Sequence, residues 1–202
     1  MIKVGICGGI GGGKSTVCAM LAERGVAVYD SDSHAKALMC SSSEIRKAIM
    51  DEFGEQSYIG NALNRRFLAD AVFGHPARLA KLNAIIHPAV RLDFERWAAH
   101  QTGDYVVLES AILFESGFDK CVDVSVAVLA PRSVRIERAM QRDGAMREKI
   151  EARMDEQMSD DALAARADIA IVNIDREDLA RDVAELDGRL RQAAARQKSK
   201  KQ

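Results

Sequence analysis

The chain has 202 residues, of which 48% are hydrophobic and 29% charged, with a formal net charge of -1. That length suits one α/β domain carrying an elaborated insertion and is short for two independent domains. The charge balance gives no electrostatic argument for a nucleic-acid partner, the apolar runs are strand-sized and so point to no membrane, and the N-terminus lacks a signal-peptide pattern, so a cytoplasmic location is expected.

The first element is a strand over Ile2, Val4 and Ile6, followed at once by GGIGGGKS from Gly8 to Ser15. This satisfies GxxxxGK[ST] in the required order of strand, glycine loop and helix. Glycines let the backbone turn so that successive N–H groups point at phosphate oxygens, and the N-terminal dipole of the helix opened by Ser15 and Thr16 adds to the attraction. Gly11, Gly12, Gly13, Lys14, Ser15 and Thr16 are the expected triphosphate contacts. Lys14 would reach the β- and γ-phosphates and Ser15 would hold Mg²⁺.

A second short strand, Val26 to Tyr29, ends in Asp30-Ser31-Asp32. In an open parallel sheet this carboxyl end faces the same crevice as the phosphate loop, so a carboxylate here can orient or deprotonate an acceptor hydroxyl. Asp30 and Asp32 can share a face, and position alone does not separate them; Asp32 is taken as the better candidate, with helix capping as its structural alternative. From His34 to about His100 the pattern reads as helices, with a capping box at Ser41 and Glu44 and a helical boundary at His87-Pro88.

Tyr105–Glu109 and Val122 to Leu129 read as the third and fourth buried strands, and Ala167 to Val172 as the fifth. Arg132, Arg135, Arg138 and Arg142 lie along one side of the intervening helix. For the first three the default is a solvated face. Arg142 lies near the end of this series, where a lid can fold over ATP, and a guanidinium suits the charge of a transferring phosphoryl group. His87 defaults to a helix-turn histidine and Arg65 and Arg66 to solvated residues. A closing helix buries Leu179, Val183, Leu186 and Leu190, and beyond about Ala195 the polar end is expected to fray.

Cys7, Cys18, Cys40 and Cys121 form no CxxC pair, and His34, His75, His87 and His100 lack zinc-ligand spacing, so neither a disulfide framework nor a structural metal is indicated. A phosphate loop leaves open whether the γ-phosphate goes to an acceptor or to water. A guanine-nucleotide switch is disfavoured, because NKxD is missing and the DxxG at Asp51 to Gly54 falls in the helical stretch.

Taken together, GGIGGGKST, YDSD, LNRRFLADAVF, LNAIIHPAV, LFESGFD, AMQRD and RADIAIVN resemble the dephospho-coenzyme A kinase family over nearly the whole chain. The resemblance implies transfer of the ATP γ-phosphate to the ribose 3′-hydroxyl of dephospho-CoA, the last step of coenzyme A synthesis. It implies a P-loop NTPase three-layer α/β fold with a five-stranded parallel sheet, a helical acceptor-binding domain and a mobile lid. The expected core is 1–32, 104–130 and 160–196, the acceptor domain 33–103, the lid 131–159 and a disordered tail 197–202. By the same resemblance Asp32 is the acceptor-side carboxylate, His87 and Arg65 contact the substrate, Arg142 is the lid arginine and Asn173 lies where the chain passes the adenine.

Three departures stand out. Gly12 replaces a frequent serine, Cys7 a frequent threonine, and VLESAILFE puts Ala111 where a proline is common, leaving Glu109 and Glu115 without assigned roles. A shikimate-type kinase is the enzyme alternative, since it also pairs a phosphate loop with DSD; a nucleotide-binding regulator without turnover is the non-enzyme one. The sequence patterns do not encode an oligomeric state.

Overall fold

The computed structural model describes residues 1–199, which divide into two compact units, Met1–Tyr29 with the chain from His100 onward, and Asp30–Ala99.

The first unit is built on a five-stranded parallel sheet in the order β2-β5-β1-β6-β7. Its strands are β1 (Ile2–Cys7), β2 (Ala27–Asp30, whose last residue falls in the second unit), β5 (Tyr105–Glu109), β6 (Val124–Leu129) and β7 (Ile169–Val172). The central strand β1 is parallel to both β5 and β6, with Val4 opposite Val107 on one side and Val124 on the other. Both neighbours come much later in the chain, so the crevice at the carboxyl end of β1 is a topological switch point, where ligands bind in such sheets.

One face is set by period-two alternation: Ile2, Val4 and Ile6 point together and pack with Val107, Val126 and Val128. Against this face lie α1 (Lys14–Glu23), through Val17 and Leu21, and α9 (Arg176–Ser199), through the stripe Leu179, Val183, Leu186 and Leu190. On the opposite face Gly5 leaves room for Leu113 and Val122. The connection from β6 to β7 carries α6 (Arg132–Asp143), α7 (Arg147–Asp155) and α8 (Asp160–Arg166).

Helix α9 does not fray beyond Ala195 but continues to Ser199, and Lys198 pairs with Asp104 at 3.0 Å. The buried stripe runs on through Leu190 and Ala194, so packing carries the helix past the point where the local composition turns polar. Lys200, Lys201 and Gln202 lie outside the described residues.

The second unit contains α2 (Ser31–Ser41), α3 (Ser43–Phe53), the two-residue strands β3 (Tyr58–Ile59) and β4 (Ala62–Leu63), α4 (Arg65–Val72) and α5 (Pro76–Ala99). Its core joins Ile45, Ile49, Phe53, Tyr58 and Leu68. The hairpin interrupts what reads as continuous helix, because Gly60 takes a φ of 58° that permits a two-residue turn. The cap of α3 is Ser42, whose hydroxyl accepts from Ile45 N–H at 3.3 Å, one position later than the expected Ser41 box.

Nor does the helix end at His87-Pro88: α5 runs through Pro88 for 24 residues. An interior proline costs about 3 kcal/mol by removing an N–H and crowding the preceding turn. Burial of Ile86, Val90, Phe94 and Ala98 along one stripe outweighs that local preference. Among the described residues no helix is long and apolar enough to cross a membrane.

Candidate active site

The phosphate loop leaves β1 at Cys7 and enters α1 at Lys14. Gly11 and Gly13 have φ of 75° and 98°, conformations that side-chain-bearing residues rarely adopt, and a Cβ on Gly13 would collide with the Asn173 amide. The Gly12 N–H donates to Gly9 O at 3.0 Å, closing the turn. The first turn of α1 carries no acidic side chain, so the positive end of its dipole is left to attract an anion. Lys14 Nζ donates to Gly8 O at 2.9 Å, which lays the ammonium across the loop.

Ser15 Oγ donates to Glu109 Oε1 at 3.1 Å, so the metal-candidate hydroxyl meets a carboxylate at the end of β5. Two hard oxygen donors side by side fit Mg²⁺, which takes few protein ligands and completes its shell with phosphates and water. No cluster of three or more His, Cys, Asp or Glu side chains forms a metal cage among the described residues. Cys7, by contrast, is buried, and burial, followed by the nearby Glu115, pushes its thiol up to about 12. It is an inert packing residue.

Asn173 follows β7 and is buried; its Nδ2 donates to Gly12 O at 2.9 Å and its N–H to Leu129 O at 2.7 Å. Arg138 donates to Asn173 O at 3.0 Å and to Ile174 O at 3.1 Å. Gly13, Ser15, Thr16, Arg138, Asn173 and Arg176 line a cleft of about 510 Å³. That volume lies within the range of small-ligand sites, and its two guanidiniums favour an anionic ligand.

Arg142 is not gathered into this cluster. Its Nε and terminal nitrogen donate to the two carboxylate oxygens of Asp143 at 2.7 and 3.1 Å, and Arg153 reaches the same carboxylate at 3.1 Å. The Arg142 hydrogen bonds hold the Asp143 carboxyl below its usual range.

The acceptor-side candidates belong to the second unit. Asp30, not Asp32, is the cap of α2: its Oδ1 accepts from the N–H groups of Asp32 at 3.0 Å and Ser33 at 3.4 Å. Asp32 sits exposed in the first turn, so the structural alternative for Asp32 belongs to its neighbour. Arg65 and Arg66 are exposed at the N-terminus of α4, which carries no acidic residue in its first turn, and Asn64 caps it by accepting from Phe67 N–H at 3.2 Å. His87 is half-buried within α5, and burial, then the adjacent Arg91 charge, holds its imidazole below the ordinary value. His34 Nδ1 and Asp93 Oδ2, 2.9 Å apart, tie α2 to α5.

The dephospho-CoA kinase family profile matches residues 2–180. The curated dephospho-CoA kinase of Bacteroides fragilis is 42% identical over 186 residues, covering 92% of this chain and 91% of the relative. This chain belongs to the dephospho-CoA kinase family. A solved structure from Thermus thermophilus superposes with a TM-score of 0.81 at 35% identity, covering 94% of this chain and 97% of the other. A shikimate kinase from Bacteroides thetaiotaomicron reaches 0.56 at 14% identity, with 94% and 98% covered, a likeness of fold alone. Membership in the dephospho-CoA kinase family therefore decides between the two enzyme alternatives.

In this dephospho-CoA kinase family member the arginine series of α6 is not a uniformly solvated face. Arg132 does pair at the surface, with Asp155 at 2.8 Å, but Arg138 is engaged by the 173–174 backbone and Arg135 is only 6% exposed. Helical spacing shows which side chains share a face but not what packs on that face. Glu109 was legible only as a carboxylate ending an apolar strand, one sheet position from the phosphate loop.

Proposed function

We propose that this dephospho-CoA kinase family member transfers the γ-phosphoryl group of ATP to the ribose 3′-hydroxyl of dephospho-CoA, giving CoA and ADP, with the roles that follow. The observation that carries the reading is the meeting of Ser15 and Glu109 at 3.1 Å beside an uncompensated helix N-terminus. A hydroxyl and a carboxylate beside a helix N-terminus support the reading of this loop as the site of a triphosphate and its counter-ion.

Gly11 to Thr16 bind the triphosphate through the loop backbone and the Lys14 ammonium. Ser15 and Glu109 would hold Mg²⁺, which supplies charge neutralisation on the phosphate oxygens. Asn173 and Arg138 shape the nucleotide side of the cleft. Asp32 orients or deprotonates the 3′-hydroxyl, while Arg65 and His87 bind dephospho-CoA within the 33–103 acceptor domain. The 131–159 segment acts as the lid, and on its closure Arg142 exchanges Asp143 for the γ-phosphate and water is excluded. The setting is the cytoplasm, in keeping with four free cysteines.

Incubation with ATP, Mg²⁺ and dephospho-CoA should add one phosphate to the acceptor, read by mass spectrometry, with stoichiometric ADP release. Lys14→Ala should remove this product while the protein stays folded, because the ammonium contacts loop backbone and not the core. ADP release that is independent of dephospho-CoA would overturn the acceptor assignment.

A further inference from the structure

Arg135 is a buried guanidinium more than a hundred residues from the loop on which it rests. Its Nε donates to Ile10 O at 2.9 Å, and its NH1 pairs with Asp160 at the start of α8. The Ile10 N–H donates to Gln157 Oε1 at 2.8 Å, from the connection between α7 and α8. The Ile10 side chain packs on the cluster of Ile136, Ala139, Ile150 and Met154 from α6 and α7. Every part of the residue at the apex of the phosphate loop is thus held by α6, α7 and their continuation into α8.

Gly9 adds an independent observation. Its backbone is not in the left-handed region, so conformation does not demand glycine there. Space does: the nearest atoms to a Cβ at this position all belong to the Arg135 guanidinium, which such a Cβ would strike. Gly11 likewise lies directly on the Arg135 backbone, where a Cβ would collide with the Arg135 carbonyl. The guanidinium fills the place of a side chain at position 9 and clamps the Gly9–Gly12 turn from outside.

We propose that Arg135 is a positioning residue for the nucleotide: through Ile10 and the side-chain-free surface of Gly9 it sets the phosphate loop in its binding conformation before ATP arrives. This rests on the reading of Gly11 to Thr16 as the triphosphate site. A buried ion pair alone is weak support for a stability role, because apolar residues can fill the same volume at no loss. What an apolar residue cannot do is hold the Ile10 carbonyl and the Asp160 carboxylate at once. Pre-organising a loop strengthens binding by removing the cost of ordering it on ligation.

The test is calorimetric titration of ATP into wild type, Arg135→Ser, Gly9→Ala and the double variant, with melting temperatures and steady-state constants. Arg135→Ser and Gly9→Ala each raise the Kd for ATP about tenfold, the scale of one charge-assisted hydrogen bond, while the KM for dephospho-CoA stays within about twofold. A purely structural role would lower the melting temperature and leave that split absent. The double variant binds ATP no more weakly than Arg135→Ser, because the new methyl has nothing left to displace. If Arg135→Ser does not fold, Gly9→Ala decides alone. ATP affinity within about twofold of wild type in the folded variants, or additive losses in the double variant, overturns the proposal. Failure of wild type to bind ATP would instead strike the triphosphate site itself.

Discussion

Ser15 donates its hydroxyl to Glu109 over 3.1 Å, linking the first turn of α1 to the last residue of β5. The carboxylate has no burial or packing duty that an amide could not perform, so Glu109→Gln isolates its charge. The variant should melt close to wild type and still bind ATP without metal. Its kcat should fall about 10²-fold, the scale for loss of one preorganised electrostatic element of an active site, and the Mg²⁺ needed for half-maximal rate should rise. An unchanged Mg²⁺ profile in the folded variant would remove Glu109 from the proposed metal site.

Arg142 and Asp143 form a surface pair, and such pairs contribute little to stability because solvent screens them. Under the proposed lid role their relation would govern turnover, since the guanidinium cannot serve Asp143 and a phosphate with the same donors. Arg142→Lys should lower kcat more than it weakens ATP binding, because a point charge does not reproduce the planar fork. Asp143→Asn removes the competitor and should leave kcat at or above the wild-type value. Equal loss in both variants would make Asp143 the platform that orients Arg142.

Local chemistry explains what the sequence reveals and long-range packing what it hides. The phosphate loop is legible because its glycine conformations and its lysine lie within one short segment. Likewise β1, β5 and α9 show their burial in period-two and helical stripes of apolar residues. Arg135 is hidden because its partners, Ile10 and Asp160, are set by how α6 to α8 meet the loop, and a charged helical face looks the same whether solvated or covered. Pro88 marks a boundary by local rules, yet the buried stripe from Ile86 to Ala98 carries the helix through it. Asp30 and Asp32 differ only in which carboxylate turns back onto the helix, a choice that side-chain alternation does not make.

His87 gives the second unit a pH signature. Its folded-state pKa lies below the unfolded value of 6.5, mainly through burial. The unfolded chain therefore takes up a proton at a higher pH than the folded one, so stability is full above about pH 6.5 and is lost as pH falls toward the folded value. Between pH 7 and 5 the wild type should lose more melting temperature than His87→Gln. Parallel profiles would show that the imidazole is not depressed.

The two carboxylates after β2 differ in structural duty. Asp30 accepts from Asp32 N–H, Ser33 N–H and Ser33 Oγ, and so caps α2; Asp32 lies exposed one helical residue in, with no such duty. Asp30→Ala should cost about 0.5–2 kcal/mol of stability, whereas Asp30→Asn, an equally good cap, should cost little. Asp32→Asn should leave the melting temperature near wild type and ATP affinity near normal. Its kcat should fall about 10²- to 10⁴-fold, the range for loss of a general base. Measured side by side, kcat, ATP affinity and melting temperature divide structure from chemistry. If Asp30→Asn is the inactive variant and Asp32→Asn turns over normally, the acceptor-side carboxylate is Asp30, and one residue both caps the helix and handles the hydroxyl.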